Sequence, residues 1–423
     1  MKLIEILKKN RELEGKLKGG EYSIGILSNI TLNQIKPILE YSLRSESINA
    51  KVILGNYDSI VQDSEKFKKL DAVFIFWEVA NIIGNINSQF YSISEKEMDA
   101  LEKNIKQQIG LVLNILENTS LVLFNGFTSA AIEVSAVNTS PWSSLSRRLN
   151  LFLESTLMGS KIFVDIEKII LDIGTGDSYD FRQYHNTKAL YSIDFLVQYC
   201  HAIKPIVFSS NGKVRKVLVL DCDNTLWGGV VGELGSSGIC VDEGTTDGRV
   251  FFDIQSIILG LKNDGVLLAI CSKNNSEDVE DAFLKRDMPL NISDFILKKI
   301  NWDSKAKNMQ ALAEELNLGL DSFVFLDDSE FETNLVKKEF PQIKVIVVPK
   351  QLSEYVGVVK KLKDVFYYIS QTKEDLNKTR LYQDEIKRKG VLKEIGSIDS
   401  YLRSLRLKIR VMWGEDVNII RAA

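Results

Sequence analysis

From residue 22 to about 208, short apolar runs alternate with amphipathic stretches of helix length. YSIGILS (22–28), AKVIL (50–54), AVFIFW (72–77), LVLFNG (121–126) and KIFVD (161–165) predict buried strands, and 32–45, 94–118 and 143–159 predict helices between them. Alternation of this kind implies a mostly parallel sheet with helices on both faces. The polar stretch FSSNGK (208–213) reads as a linker. A second alternating series follows, with strands at 216–221, 266–271, 322–326 and 343–348 and helices at 249–263, 276–286, 304–317 and 330–339. After Pro349 the character changes. Residues 371–405 are charged and helical in pattern, and LRLKIRVMW (405–413) is strand-like.

Composition narrows the function classes. A chain of 423 residues exceeds one ordinary core, so two or three domains are expected. The net charge of −4 comes without any basic block, which argues against nucleic acid or an anionic membrane as the main partner. No apolar run has the length of a membrane span, and MKLIEILKKNRELEGKL is an amphipathic helix pattern rather than a signal peptide. The expectation is a cytoplasmic protein. Cys200, Cys222, Cys240 and Cys271 are dispersed and form no CxxC pair, and the histidines are His185 and His201. A metal here would be a hard cation held by carboxylates.

The chemistry concentrates at KVLVLDCDNTLW (216–227). Strand alternation puts Asp221 and Asp223 on one side and Cys222 on the other. At the carboxyl end of a parallel strand that side opens into the crevice where α/β folds bind ligands. Two acids there can divide phosphoryl transfer, one attacking phosphorus and the other protonating the leaving oxygen. Thr225 and the backbone after it can donate to phosphate oxygens. Three further segments suit the same chemistry. VLLAICSKNN (266–275) puts Ser272 at a strand tip, NWDSKAKN (301–308) opens a helix with Lys305, and FVFLDDSEFE (323–332) ends a strand with Asp327 and Asp328. The last two are suited to complete an octahedral Mg²⁺ site with Asp221 and the carbonyl of Asp223. Lys307 competes with Lys305 for the cationic role.

The order Asp-x-Asp-x-Thr, Ser, Lys, Asp-Asp resembles the haloacid dehalogenase-like phosphotransferases. That resemblance implies Asp221 as nucleophile, Asp223 as general acid/base, Ser272 and Lys305 as phosphate holders and Asp327 as a metal ligand. LDCDNTLWGGVVGELG (220–235), LLAICSKNN, KINWDSKAKNMQALAEELNLGLDSFVFLDDSEFE (299–332) and TKEDLNKTRLYQ (372–383) look like the FkbH-like family, most strongly over 214–350. The resemblance implies an SGNH-hydrolase-like domain at 1–210 and a capless haloacid dehalogenase-like domain at 211–365. Over 366–423 it implies a helical extension and the truncated start of an acetyltransferase-like domain. It further implies removal of phosphate from 1,3-bisphosphoglycerate and loading of a glyceryl unit onto the phosphopantetheine thiol of an acyl carrier protein, as in polyketide assembly; the sequence does not name the pathway, and a glycerate-decorated surface polysaccharide is the other destination. A phosphatase of the same fold acting on a small or sugar-linked phosphate, and an inactive carrier-binding scaffold, are the alternatives.

Several residues carry narrower expectations. About 40 residues separate Thr225 from the strand at 266, and about 30 separate Ser272 from Lys305, too few for a large cap domain. GGVVGELGSSG (228–238) reads as a short hairpin flap. Cys271, beside Ser272 at the strand's mouth, is preferred over the core-facing Cys222 as carrier of an acyl thioester. In the first domain GILSN is not a Gly-Asp-Ser block, and Asp180 stands five residues before His185 rather than three. Ser28 is therefore read as a cap or turn residue and His185 as a packing or surface residue. Trp227 and Trp302 flank the motifs, as mouth lining or packing.

Overall fold

The computed structural model of the chain describes residues 3–17, 19–82, 93–132 and 140–367. The readings at 371–423 lie outside the described residues. Among the described residues the chain divides into two compact units at Val214/Arg215, with residues 364–367 belonging to the first. Each unit holds one five-stranded sheet. In the first, β1 (Tyr22–Ser28), β2 (Ala50–Leu54), β3 (Ala72–Phe76), β4 (Leu121–Asn125) and β5 (Lys161–Val164) run in the order β2-β1-β3-β4-β5. In the second, β6 (Val217–Leu220), β7 (Leu267–Ser272), β8 (Phe295–Ile300), β9 (Phe323–Asp327) and β10 (Lys344–Val347) run in the order β10-β9-β6-β7-β8. Every pairing is parallel. Buried parallel strands explain the continuous apolar runs, since both faces must be covered. No helix among the described residues is long and apolar enough to cross a membrane.

In the second unit β6 lies between β9 and β7, in register Leu220↔Leu326 and Leu220↔Ile270. The chain therefore leaves three adjacent strands at the same edge. Odd-numbered residues of the sheet (Val217, Val219, Leu267, Ala269, Phe323, Phe325) form one core cluster with Ala306, Met309 and Leu312 of the helix Lys305–Leu316. Two expectations are corrected. The stretch 228–238 is not a hairpin: Gly228 and Cys240 make one antiparallel bridge around a short helix, Val231–Gly238, kinked at Gly235 (φ 67°). The linker expected at 208–213 begins later, because the helix Ile193–Ser210 runs through Ser210. Between Ser272 and Lys305 lie the helix Ser276–Lys285, a 3₁₀ turn and strand β8, and no inserted sheet.

In the first unit the two faces of the sheet divide by parity: Ile24, Ile26, Phe74 and Phe76 join one core cluster, and Leu27, Val73 and Ile75 the other. At the carboxyl edge Ser28 closes on itself. Its hydroxyl donates to Ile30 O at 2.8 Å and accepts from Ile30 N at 3.0 Å. His185 is exposed on the helix Phe181–Thr187, and Asp180 caps that helix by accepting from Gln183 N. Glu78, 2% exposed, follows β3. Its backbone is clamped to Asn29 in both directions (2.7 and 2.9 Å), and its carboxylate accepts from Tyr191 OH at 2.8 Å. Burial pushes its carboxyl from an ordinary 4.5 up to about 7, with the Tyr191 hydroxyl opposing. The folded chain thus keeps a proton that the unfolded chain has already released, so stability falls as the pH rises through the window from about 4.5 to about 7, by roughly 3 kcal/mol in all. Glu78→Gln is expected to remove most of that loss. Urea unfolding at about pH 5 and about pH 8 checks this, with the variant more stable than the wild type at the higher pH alone.

Candidate active site

β6 ends at Leu220, and Asp221 follows with its amide still donating to Leu326 O of β9 (3.1 Å), which fixes the start of the loop against the neighbouring strand. The chain then wraps around the Cys222 carbonyl, which accepts from Thr225 N (3.2 Å) and Leu226 N (2.8 Å). That turn needs Asn224 in the left-handed region at φ 52°, a conformation Asn tolerates through its short polar side chain. Asn224 Oδ1 in turn accepts from Gly229 N at 3.0 Å.

Across the edge, Ser304 caps the helix Lys305–Leu316 by accepting from Lys307 N, which places Lys305 at the first helical position. A cation in a first turn opposes the helix dipole, so the position is not chosen for helix stability. The Lys305 ammonium is buried and reaches Asp221 Oδ2 at 2.9 Å and Asp327 Oδ2 at 2.5 Å. Burial would lower its pKa, but the two carboxylates outweigh that and hold it above the ordinary lysine value. Lys305 therefore stays charged. Two buried carboxylates then share one ammonium, and negative charge is left over. Asp327 expresses the surplus: burial, and next the charge of Asp221, push its carboxyl up to about 6 against the pull of Lys305. Burial and Asp221 raise Asp328 too.

Asp221, Asp327 and Asp328 each offer a carboxylate oxygen within 4.8 Å of one another. Asp221 Oδ1 is buried without a hydrogen-bond partner, and so is Thr225 Oγ1. Orphaned buried polar atoms are rare in a folded chain unless a ligand or ion completes them. Three carboxylates, excess negative charge and an uncommitted oxygen together fit a hard divalent cation such as Mg²⁺.

The Asp223 carboxylate stands outside that group. Oδ1 accepts from Trp227 Nε1 (2.9 Å) and Val231 N (3.0 Å), and Oδ2 accepts from Asn274 Nδ2 (3.0 Å). Asn274 Nδ2 also donates to Ser272 Oγ at 3.0 Å, tying the general-acid candidate to the β7 tip. Trp227 is fully buried and packs edge-on against Phe283. It orients Asp223, a role that sequence reasoning missed, as it missed Asn274. The polar tip SKNN was the available signal for Asn274. Trp302 is 69% exposed, and its indole donates to Asn275 Oδ1.

The two candidate lysines differ in their surroundings. Lys307 is exposed and pairs with Asp303 at 3.0 Å, while Lys305 is the buried one. The cysteine expectation is corrected. Cys271 is not at the mouth: β7 runs on through Ser272, and Cys271 lies on the face covered by the helix Lys305–Leu316, with its thiol 3.9 Å from Lys305 O and 0% exposed. Burial is the main cause that pushes its thiol up to about 12. Cys222 is equally buried and its thiol is raised well above the ordinary value, again chiefly by burial.

No family model matches the chain, and no curated protein matches it. Among solved structures, the N-terminal part of the protein BF1531 from Bacteroides fragilis, containing a phosphatase domain and complexed with Mg, is similar with a TM-score of 0.76 at 23% identity. The match covers 88% of this chain and 100% of that one. The MnaA–UDP co-structure from S. aureus (TM-score 0.21, 11% identity, 93% and 100% covered) and D-lactate dehydrogenase from Escherichia coli (TM-score 0.17, 14% identity, 88% and 97% covered) are too distant to carry any argument. The first similarity shows the fold alone: a mixed α/β chain with parallel sheets, as in the BF1531 structure.

Proposed function

We propose that the chain is a Mg²⁺-dependent phosphohydrolase working through a phosphoryl group held on Asp221. The observation that carries this reading is Lys305 buried between Asp221 and Asp327, with Asp328 beside them, at the carboxyl edge of a parallel sheet. The BF1531 structure, a phosphatase-containing chain complexed with Mg, supports it. Asp221, Asp327 and Asp328 would hold the ion, which supplies charge neutralisation on the phosphoryl oxygens.

Asp221 attacks phosphorus, a P–O bond forms, and the bond to the leaving oxygen breaks. Asp223, oriented by Trp227, Val231 N and Asn274, gives its proton to that oxygen. It then accepts a proton from water as water attacks the aspartyl phosphate, releasing inorganic phosphate and restoring Asp221. Lys305, Ser272 and the unpartnered Thr225 hydroxyl hold the phosphoryl oxygens through the transfer.

The narrower reading is dephosphorylation of 1,3-bisphosphoglycerate with transfer of a glyceryl unit to a carrier protein's phosphopantetheine thiol. Its support is the FkbH-like wording of 220–235 and 299–332. An enzyme thioester at Cys271 is not part of this reading, because that thiol is sealed in the core. Phosphate release from 1,3-bisphosphoglycerate, with and without a phosphopantetheinylated carrier, tests it: a mass gain on the carrier is expected, and carrier-independent release alone leaves a simple phosphohydrolase.

Three outcomes follow from the geometry. Asp221→Asn is expected to lower kcat for phosphate release by at least about 10³-fold with its fold intact, measured by steady-state release and circular dichroism. Trp227→Phe keeps the aromatic packing but loses one donor to Asp223. It is expected to lower kcat roughly tenfold with little change in KM, and to alter the pH–rate profile. Lys305→Met leaves two buried carboxylates without their ammonium, so it is expected to destabilise by about 3–5 kcal/mol in metal-free urea unfolding. Added Mg²⁺ should recover part of that loss.

A further inference from the structure

Beside Asp328 of the carboxylate group, a cavity of about 610 Å³ opens within the second unit. It begins at Asn224 and Asp328 and runs along the loop that leaves the general-acid candidate Asp223. At ~30 Å³ per water in the liquid, it has the volume of roughly twenty waters. A three-carbon unit would occupy only a small part of it.

The walls are built for a particular surface. Phe251 lines one side, buried and packed edge-on against Tyr355. Gly228 lets it approach: a Cβ there would stand 2.9 Å from the Phe251 ring. Gly229, at φ 95°, does the same for Leu234, whose methyl would lie 2.5 Å from an added Cβ. Leu352 and Pro349 continue the apolar lining. The charges are of the opposite character. With Asp328 given to the ion, Asp247 remains as the cavity's carboxylate, and the cation of the lining, Lys350, is already paired with Glu330 at 3.5 Å. A leaving group carrying a further phosphate or a carboxylate would meet net repulsion, whereas an uncharged one loses nothing here.

Resting on the phosphohydrolase reading, we infer that this cavity receives the substrate's leaving group and selects a phosphate ester whose leaving group is uncharged, partly apolar and longer than a three-carbon unit. The size falls in the range of small-molecule sites, which combine apolar walls with a few polar groups. A glyceryl unit meets the description only when its carboxyl is capped by an uncharged ester or thioester chain. Leu234, half exposed on the helix Val231–Gly238, and Asp247, in the first turn of the helix Thr246–Asn263, then set length and charge selectivity respectively.

The test compares kcat/KM with Mg²⁺ for ethyl phosphate, hydroxyoctyl phosphate and carboxyoctyl phosphate. Hydroxyoctyl phosphate is expected to exceed each of the others by about tenfold or more, the discrimination an apolar pocket typically achieves. Leu234→Trp, which fills the cavity, should cut the hydroxyoctyl-to-ethyl ratio by about tenfold, and Asp247→Asn should narrow the gap between the hydroxyl and carboxylate substrates. Similar values for all three substrates, or a preference for the carboxylate, would overturn the inference while leaving the phosphohydrolase standing. Hydrolysis of none of them, nor of p-nitrophenyl phosphate, would overturn both.

Discussion

One buried ammonium shared by two buried carboxylates is the constraint on which the candidate site depends. Removing two carboxylates and an ammonium from water is expensive, and such a group persists only where its geometry and remaining hydrogen bonds offset that cost. Here the balance is incomplete by design of the residues: Lys305 neutralises one negative charge, Asp221 and Asp327 bring two, and Asp328 adds another nearby. The surplus raises Asp327 and leaves Asp221 Oδ1 without a partner. A hydrophobic replacement of the cluster would pack at lower electrostatic cost, so the charges are better understood as a receptor for a divalent ion and a phosphoryl group than as a stabilising device.

The backbone delivers these groups by simple means. Three adjacent parallel strands end at one edge, and each hands over to a polar turn: Asp221 after β6, Ser272 at the end of β7, Asp327 at the end of β9. Ser304 sets the start of the helix carrying Lys305, and Ser329 caps the helix after Asp328. The short helix Val231–Gly238 contributes the Val231 amide that, with Trp227 and Asn274, holds Asp223. Asp221 and Asp223, the proposed nucleophile and general acid, are thus served by separate sets of partners, one charged and one neutral.

Much of this was legible in the residues. The apolar runs of the inner strands β1, β3, β4, β6, β7 and β9 announce themselves because buried parallel strands need both faces apolar, and the edge strands β2, β5 and β10 keep enough apolar residues to be read. Their polar tips carry the phosphoryl-transfer pattern. β8 escaped notice because it is an edge strand, FILKKI, whose later residues include two lysines and face solvent in part. The helix Val231–Gly238 escaped because its glycines argue for a turn, and the kink at Gly235 shows why the composition misled. Cys271 was misplaced by a strand boundary set one residue short, since alternation decides a face only when the strand's end is known. The SKNN tip marked Asn274 as polar, but not its bond to Asp223, which closes across 51 positions of sequence. In the first unit the residue reading of Ser28 as a turn residue agrees with its bonds to Ile30, and the buried carboxyl of Glu78 had no periodic signature to announce it.

The most direct test of the central claim is a crystal structure of the chain grown with Mg²⁺ and beryllofluoride, a mimic of a phosphorylated aspartate. The account predicts the fluoroberyllate bound to an Asp221 oxygen, Lys305 within hydrogen-bond distance of it, and the ion held by Asp221, Asp327 and Asp328 at roughly 2 Å. Beryllofluoride on another residue, or an ion bound away from these three carboxylates, would contradict it.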